Sequence, residues 1–164
     1  MFDFLVEELN KPGLNKRRNR HLDSMTKFIE NYLVLERGYE VQKELRVTTA
    51  SAYSKKCDIT FSSPDGRRYA LELKSISSSF GKNFNNRIEE MAGQAWLLSK
   101  SLDGFGYVFV YHDVEDKYTY YEKLKSVLHE LHNAKLMHYC MLIKVSENNF
   151  VIDKTFCSLA PNSP

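Results

Sequence analysis

The clearest alternation of apolar and polar positions runs from Lys56 to Ser75, where two alternating runs flank Pro64-Asp65-Gly66. Such runs on either side of a turn sequence predict a β-hairpin. Side chains alternate across a strand, so a turn centred on Asp65 gives the hairpin one apolar face. That face pairs Cys57 with Leu73, Ile59 with Leu71 and Phe61 with Tyr69.

The opposite face of this hairpin is predicted to be polar. It pairs Lys56 with Lys74, Asp58 with Glu72, Thr60 with Ala70 and Ser62 with Arg68. Carboxylates directly opposed at about 4.5–5.5 Å destabilise a hairpin unless something offsets their repulsion. A divalent cation would do so, and carboxylate oxygens are the ligands that Mg²⁺ prefers. The alternative is a solvated surface hairpin on which these residues are ordinary charges.

The remaining pattern predicts alternating helices and strands. After the hairpin, the small and polar residues around Gly81 predict a flexible segment. We expect a helix over 22–37 stopped by Gly38, a half-buried strand with one break over 39–47, a helix from 85 or 86, a strand over 106–112, a helix over 118–136, a strand over 139–145, a short edge strand over 150–152 and a disordered tail over 160–164.

Composition narrows the class of protein. The 164 residues carry a net charge of +2 and fit one domain over 1–164, with a basic arm at about 10–21 and a short flexible tail. There is no apolar run of about 18 residues, so no membrane span is expected. The acidic N-terminus is unlike a secretory signal, and the three scattered cysteines indicate reduced thiols, so we expect a cytoplasmic protein.

The polar face of the hairpin resembles the PD-(D/E)xK nuclease superfamily: Cys57-Asp58 is followed by Glu72-Leu73-Lys74, with cysteine in place of the usual proline. The resemblance implies that Asp58 and Glu72 hold Mg²⁺, with Mn²⁺ as the alternative cation. It also implies that the Leu73 carbonyl adds a ligand and that Lys74 orients water or stabilises the transition state. A second Glu-x-Lys, Glu115-Asp116-Lys117, has no partner hairpin and serves as an internal control.

The string Ser78-Ser79-Phe80-Gly81 and the following Asn83-Phe84-Asn85-Asn86-Arg87 resemble type II restriction endonucleases of the XhoI kind, over about residues 55 to 100. The resemblance implies a restriction-endonuclease-like α/β core, with a mixed central sheet flanked by helices. It also implies that a glutamate on the first helix, Glu30, points into the metal site. Glu36 is a weaker rival, and Glu40 and Glu44 are further carboxylates that neighbour the site if their strand does.

Two segments are candidates for DNA contact. The basic arm contributes Arg17, Arg18 and Arg20, although a solubilising arm explains the same run. The segment after the hairpin contributes Lys82, Asn83, Asn86 and Arg87, which suit a groove or backbone phosphates, unless they form only a loop and a helix cap. Gln94 is added because related nucleases and junction resolvases place a glutamine near the site.

The sequence thus predicts a Mg²⁺-dependent DNA endonuclease, with a type II restriction enzyme as the leading variant. A structure-specific nuclease, such as a junction resolvase or a phage or mobile-element nuclease acting on branched DNA, is the alternative. A non-cleaving DNA-binding module on the same fold is the third possibility. Because cutting both strands of a duplex generally takes two sites, we expect a homodimer.

Overall fold

The computed structural model describes residue 10 and residues 20–76, 80–112, 118–146 and 149–157. In these ranges the chain forms three helices and eight strands. In chain order they are α1 (Arg20–Arg37), β1 (Glu40–Lys43), β2 (Arg46–Thr48), β3 (Ser54–Lys56), β4 (Ile59–Ser62), β5 (Arg68–Ile76), α2 (Phe80–Leu98), β6 (Gly104–His112), α3 (Tyr118–Asn133), β7 (Tyr139–Ser146) and β8 (Asn149–Cys157). None of the helices described is long and apolar enough to cross a membrane.

Six strands form one mixed sheet in the order β1-β4-β5-β6-β7-β8. The pairs at both edges are antiparallel, whereas β5, β6 and β7 run parallel. Parallel neighbours need a crossover, which α2 and α3 provide. The predicted α/β class with a mixed sheet flanked by helices is confirmed, and the arrangement is compatible with a restriction-endonuclease-like core.

Each face of the sheet is covered by helix. On one face Met25, Ile29 and Leu33 of α1 pack in a core with the apolar side of the hairpin. On the other face α2 and α3 pack in a second core that contains Ala70 and Tyr107. The middle of the face predicted to be polar is therefore buried, at Thr60, Ala70 and Glu72, whereas Arg68 near its end is exposed.

Strands β1 to β4 form one long antiparallel ribbon that bends in the middle. The β1–β4 register and the β2–β3 register are continuous, joined by the hydrogen bonds Glu44 N to Asp58 O at 3.1 Å and Cys57 N to Leu45 O at 2.9 Å. Glu44 lies at the bend with φ 54°, a left-handed conformation uncommon for residues other than glycine. The predicted break in the strand over 39–47 is this bend. Beyond it, β2 and β3 leave the main sheet as a two-stranded sheet of their own.

Most predicted elements are present, and two of them differ from the expected extent by five residues or more. Helix α1 ends as expected at Gly38, whose φ of 63° and whose bond from N to Val34 O close the last turn. Helix α2 begins at Phe80 rather than at 85 or 86 because Phe84 is buried and contacts Tyr120 of α3, so packing favours helix where turn-forming residues predicted a loop. Strand β8 is longer than expected because it pairs along the whole of β7. The tail predicted over 160–164 lies outside the described residues.

Candidate active site

The candidate site forms where β4 begins beside β5. The predicted hairpin register is confirmed for all four pairs from Ile59 with Leu71 to Ser62 with Arg68. Asp58 lies one residue before β4, and its carboxylate extends the pairing by accepting a hydrogen bond from Leu73 N at 2.8 Å. In return, Asp58 N donates to Glu72 Oε1 at 3.2 Å. Each of the two predicted carboxylates therefore accepts a hydrogen bond from a main-chain N–H of the opposite strand segment.

Glu72 is the most enclosed charged group of the described chain, with a relative exposure of 0%. Its Oε2 lies 3.0 Å from Lys74 Nζ and 3.1 Å from Lys55 Nζ. This oxygen therefore lies between two ammonium groups, and the Lys55 ammonium group also donates to Lys56 O at 3.0 Å. A charge in such a place is tolerated only because it is compensated. The alternative of a solvated surface hairpin does not hold.

Lys55 is a site residue that the sequence analysis missed. It lies on β3, opposite the buried Val47 of β2, in the small sheet beyond the bend. Although partial burial acts to lower the pKa of Lys55, the nearby Glu72 and Asp58 raise it above the ordinary lysine value. Lys55 therefore remains a cation at neutral pH.

Two of the predicted hairpin pairs are wrong. Lys56 does not face Lys74: it pairs with Arg46 in the small sheet, and its Nζ contacts Glu44 Oε2 at 2.7 Å. Cys57 does not share a face with Leu73: it is buried in the core under α2. Both errors come from the bend. Residues two apart in a regular strand share a face, but across the bend the side chains of Cys57 and Ile59 lie on opposite faces of the sheet. Burial and the neighbouring Glu72 raise the pKa of the Cys57 thiol to about 12, so the thiol is not an available nucleophile.

Glu30 and Asp58 line the same cleft. This open cleft of about 830 Å³ lies between α1 and the start of the hairpin, and Leu73 also borders it. Glu30 Oε2 contacts Lys43 Nζ at 2.8 Å. Glu44 lines the cleft as well, whereas Glu36 and Glu40 do not. The geometry brings Glu30 towards Asp58, and its role at a metal remains a prediction.

A hydrogen-bonded chain connects the predicted DNA-contact residues to the interior. Buried Tyr107 donates its hydroxyl to Gln94 Oε1 at 2.7 Å, and Gln94 Nε2 donates to Glu90 Oε1 at 2.9 Å. Glu90 in turn accepts from Arg87 Nη1 at 3.1 Å. The Gln94 side chain is buried, and both its oxygen and its nitrogen are hydrogen-bonded within the protein. Gln94 would therefore act on DNA indirectly, by positioning Glu90 and Arg87.

The same chain borders a second cavity, of about 200 Å³, which lies beside Lys74 and Ser75. Asn86 and Arg87 are exposed on α2, and Arg87 lines this cavity. Arg17 and Arg18 lie outside the described residues, as do the side chains of Arg20, Lys82 and Asn83. The control motif Glu115-Asp116-Lys117 lies outside them too.

The donor set at the strand ends suits a hard divalent cation. Asp58 and Glu72 supply carboxylate oxygens, and Lys55 and Lys74 both contact Glu72 Oε2. No cluster of three or more histidine, cysteine, aspartate or glutamate side chains able to hold a metal is present in the described ranges. Two carboxylates fit Mg²⁺, which usually retains several waters and is held by one or two carboxylates together with a substrate phosphate. They do not fit a closed structural zinc site, which takes four protein ligands.

Comparison with known proteins gives a distant likeness in shape. No protein-family model matches the sequence, and no curated protein matches it. The chain is similar to an XisH family protein from Nostoc punctiforme, with 14% identity and a TM-score of 0.42, and to an fdxN element excision controlling factor protein from Anabaena variabilis, with 15% identity and a TM-score of 0.43. Each comparison covers 80% of this chain and 97% of the other. Values of this size establish neither a shared family nor a shared activity.

Proposed function

We propose that the protein is a Mg²⁺-dependent DNA endonuclease that hydrolyses phosphodiester bonds. One observation carries the proposal: Glu72 is fully buried, its Oε2 contacts two lysines, and the carboxylate of Asp58 lies beside it at the strand ends. Buried charges need compensation, and gathering several of them in one place is costly for a fold. Two carboxylates beside two lysines are groups that would hold a divalent cation and contact a phosphate.

Asp58 and Glu72 would hold the cation, with the Leu73 carbonyl as a further candidate ligand. A bound divalent cation would supply Lewis acidity at the phosphate and a lower pKa for a bound water. In the reaction, the water oxygen bonds to phosphorus while one P–O ester bond breaks. The water proton goes to the departing oxygen, which gives a phosphomonoester and an alcohol. Lys74, fixed by Glu72, would stabilise the charge that develops on the phosphate oxygens.

A specific observation favours the non-cleaving module as the second candidate. Without any metal, the two lysines already balance the charges of Glu72 and Asp58, so the fold does not require a cation there. Such a protein would bind DNA and leave it intact.

Incubation of a supercoiled plasmid with Mg²⁺ separates these functions. We expect the wild type to cut the plasmid, and Lys74→Met to lower the single-turnover rate by about 10²–10³-fold, the usual effect of removing one transition-state donor. Lys56→Met, which removes an exposed lysine near the site, is the matched control and should cut normally. Glu115→Gln tests the second Glu-x-Lys and should also cut normally.

The cleavage pattern distinguishes the variants of the proposal. Discrete fragments indicate a restriction enzyme, and preference for a four-way junction over a linear duplex indicates a structure-specific nuclease. Binding without cleavage at any Mg²⁺ or Mn²⁺ concentration would overturn the nuclease in favour of the module. Because two sites serve a double-strand cut, we also expect sedimentation to give a dimer when DNA is bound.

A further inference from the structure

We propose that Lys55 is a second phosphate-contacting residue of the site, so that the DNA phosphate is held between Lys55 and Lys74. This inference deepens the proposed function and rests on DNA being the substrate. Lys55 lies outside the Glu-x-Lys motif, on strand β3 of the two-stranded sheet.

The first support is that two lysines meet at one oxygen. Lys55 and Lys74 both contact Glu72 Oε2, so their Nζ atoms can be no farther apart than these two contacts laid end to end. Ammonium groups at such a separation repel each other. Glu72 and the neighbouring Asp58, which raises the pKa of Lys55, together supply the two negative charges that offset this repulsion. The two lysines therefore need two negative charges beside them.

The second support is the charge balance of the occupied site. The four charged groups Asp58, Glu72, Lys55 and Lys74 sum to zero as they stand. If a divalent cation balances the two carboxylates, two ammonium charges remain. A phosphodiester carries one negative charge and gains a second as water attacks phosphorus. Two lysines match that transition-state charge better than one does.

The third support is how the chain positions Lys55. Its side chain is 20% exposed, close to the 24% of Lys74, so both ammonium groups are partly accessible while Glu72 is not. The β2–β3 ribbon fixes it through the buried Val47 opposite. The turn of this ribbon is closed by hydrogen bonds from Thr49 N to Tyr53 O at 2.8 Å and from Ala52 N to Thr49 O at 2.9 Å. The ribbon therefore holds Lys55 beside Glu72.

Salt dependence of DNA binding tests the proposal without any need for cleavage. For duplex DNA, each phosphate neutralised by a protein cation contributes about 0.9 to the slope of log K against log salt. We expect Lys55→Gln to lower this slope by about one relative to the wild type, at a fixed Ca²⁺ concentration and with a phosphorothioate duplex of fixed sequence that resists cleavage. Lys55→Arg should restore the slope. A purely structural role would change stability and leave the slope unaltered.

The matched control is Lys56→Gln, which removes the same charge one residue along the strand, where the side chain contacts Glu44. The slope of this variant should equal that of the wild type. If Lys55→Gln unfolds, the comparison moves to Glu72→Gln with and without Lys55→Gln, because a neutral amide in place of the Glu72 carboxylate does not require a counter-charge. The second substitution should again lower the slope by about one.

The outcomes separate this inference from the proposed function. A wild type that cuts DNA, combined with a Lys55→Gln slope equal to that of Lys56→Gln, overturns the role of Lys55 and leaves the nuclease standing. A wild type that never cuts, combined with a slope lowered by about one, supports the phosphate contact and overturns the nuclease.

Discussion

A cluster at Asp153 and the candidate site at Glu72 each place a carboxylate of the main sheet beside lysine, and they differ in how deeply the carboxylate is buried. In the structural cluster, Asp153 of β8 accepts the Tyr111 hydroxyl at 2.5 Å and contacts Lys125 at 2.9 Å, with its side chain partly exposed. In the candidate site, Glu72 is fully buried, and two lysines contact its Oε2.

This difference separates a cluster that serves the fold from one that suggests a function. A partly exposed carboxylate with a hydroxyl and one ammonium group joins β8 to β6 and α3. At Glu72, two carboxylates and two lysines lie together, and one of the carboxylates is fully buried. Burying charges costs free energy that their attraction only partly returns, so such a cluster is weak as a stabiliser and stronger as a sign of function.

The largest predicted contrast follows from removing all the lysines of a cluster. Lys55→Met with Lys74→Met leaves the Glu72 charge buried and uncompensated, so the free energy of unfolding should fall by about 3–5 kcal/mol. Each single variant should lose less because the other lysine remains. Urea denaturation at pH 7 measures both effects.

Adding Glu72→Gln to this double variant is the control, and it should recover most of the lost stability because the stranded charge is gone. A loss of under about 1 kcal/mol in the double variant, as for an exposed pair, would remove the distinction between the two clusters.

Two tyrosines of β6 compare the two clusters through the loss of a single hydroxyl group. Tyr107→Phe leaves the buried Gln94 Oε1 without its donor, which should cost about 1–3 kcal/mol. Tyr111→Phe removes the bond to Asp153, but the carboxylate retains Lys125 and some solvent, so the loss should be nearer to about 0.5–1.5 kcal/mol. Urea denaturation measures both losses. Equal losses would show that burial of the acceptor does not set the cost of removing its hydrogen bond.

The smallest predicted stability change is at Lys125. Its Nζ contacts both Glu122 and Asp153, all partly exposed. Lys125→Met should therefore cost about 0.2–1 kcal/mol, the range of surface ion pairs, and high salt should reduce the difference from the wild type. A loss comparable with that of the double lysine variant would contradict the structural role of this cluster.

The pH dependence of Asp153 is a further small effect with a definite sign. Partial burial raises the pKa of Asp153, but the Tyr111 hydroxyl and Lys125 outweigh it and hold the pKa below the ordinary aspartate value of 3.8. A depressed pKa stabilises the folded state above the unfolded value, and the gain disappears as the pH falls through the folded value.

The stability difference between wild type and Asp153→Asn should therefore be present at pH 7 and shrink towards zero below pH 3.8. Thermal unfolding across this range checks it. A difference that grows on acidification would mean that the cluster holds Asp153 protonated.

The parts of the fold that follow from local pattern could be predicted. The turn at Pro64-Asp65-Gly66 and the alternation around it give the register of β4 with β5, and Gly38 marks the end of α1. The predicted juxtaposition of Asp58 and Glu72 depends on that register alone, and the two residues do lie together.

The parts that depend on contacts distant in sequence could not. Extending the hairpin alternation back past Asp58 gave Lys56 and Cys57 the wrong partners, since nothing local reveals that the ribbon bends at Glu44. Lys55 was missed for the same reason: its approach to Glu72 depends on Val47 entering the core under α2. Helix α2 begins earlier than expected because Phe84 contacts α3, and the turn-forming residues of this segment give no sign of that contact.

Cation binding by calorimetry tests the central claim, that Asp58 and Glu72 are kept together for a divalent cation. Mn²⁺ is titrated into wild type, Asp58→Asn and Asp153→Asn, first without DNA and then with a phosphorothioate duplex that resists cleavage. We expect saturable binding to wild type and to Asp153→Asn, and loss of binding in Asp58→Asn. Wild type that binds no cation under either condition, or Asp58→Asn that binds as tightly as wild type, would contradict it.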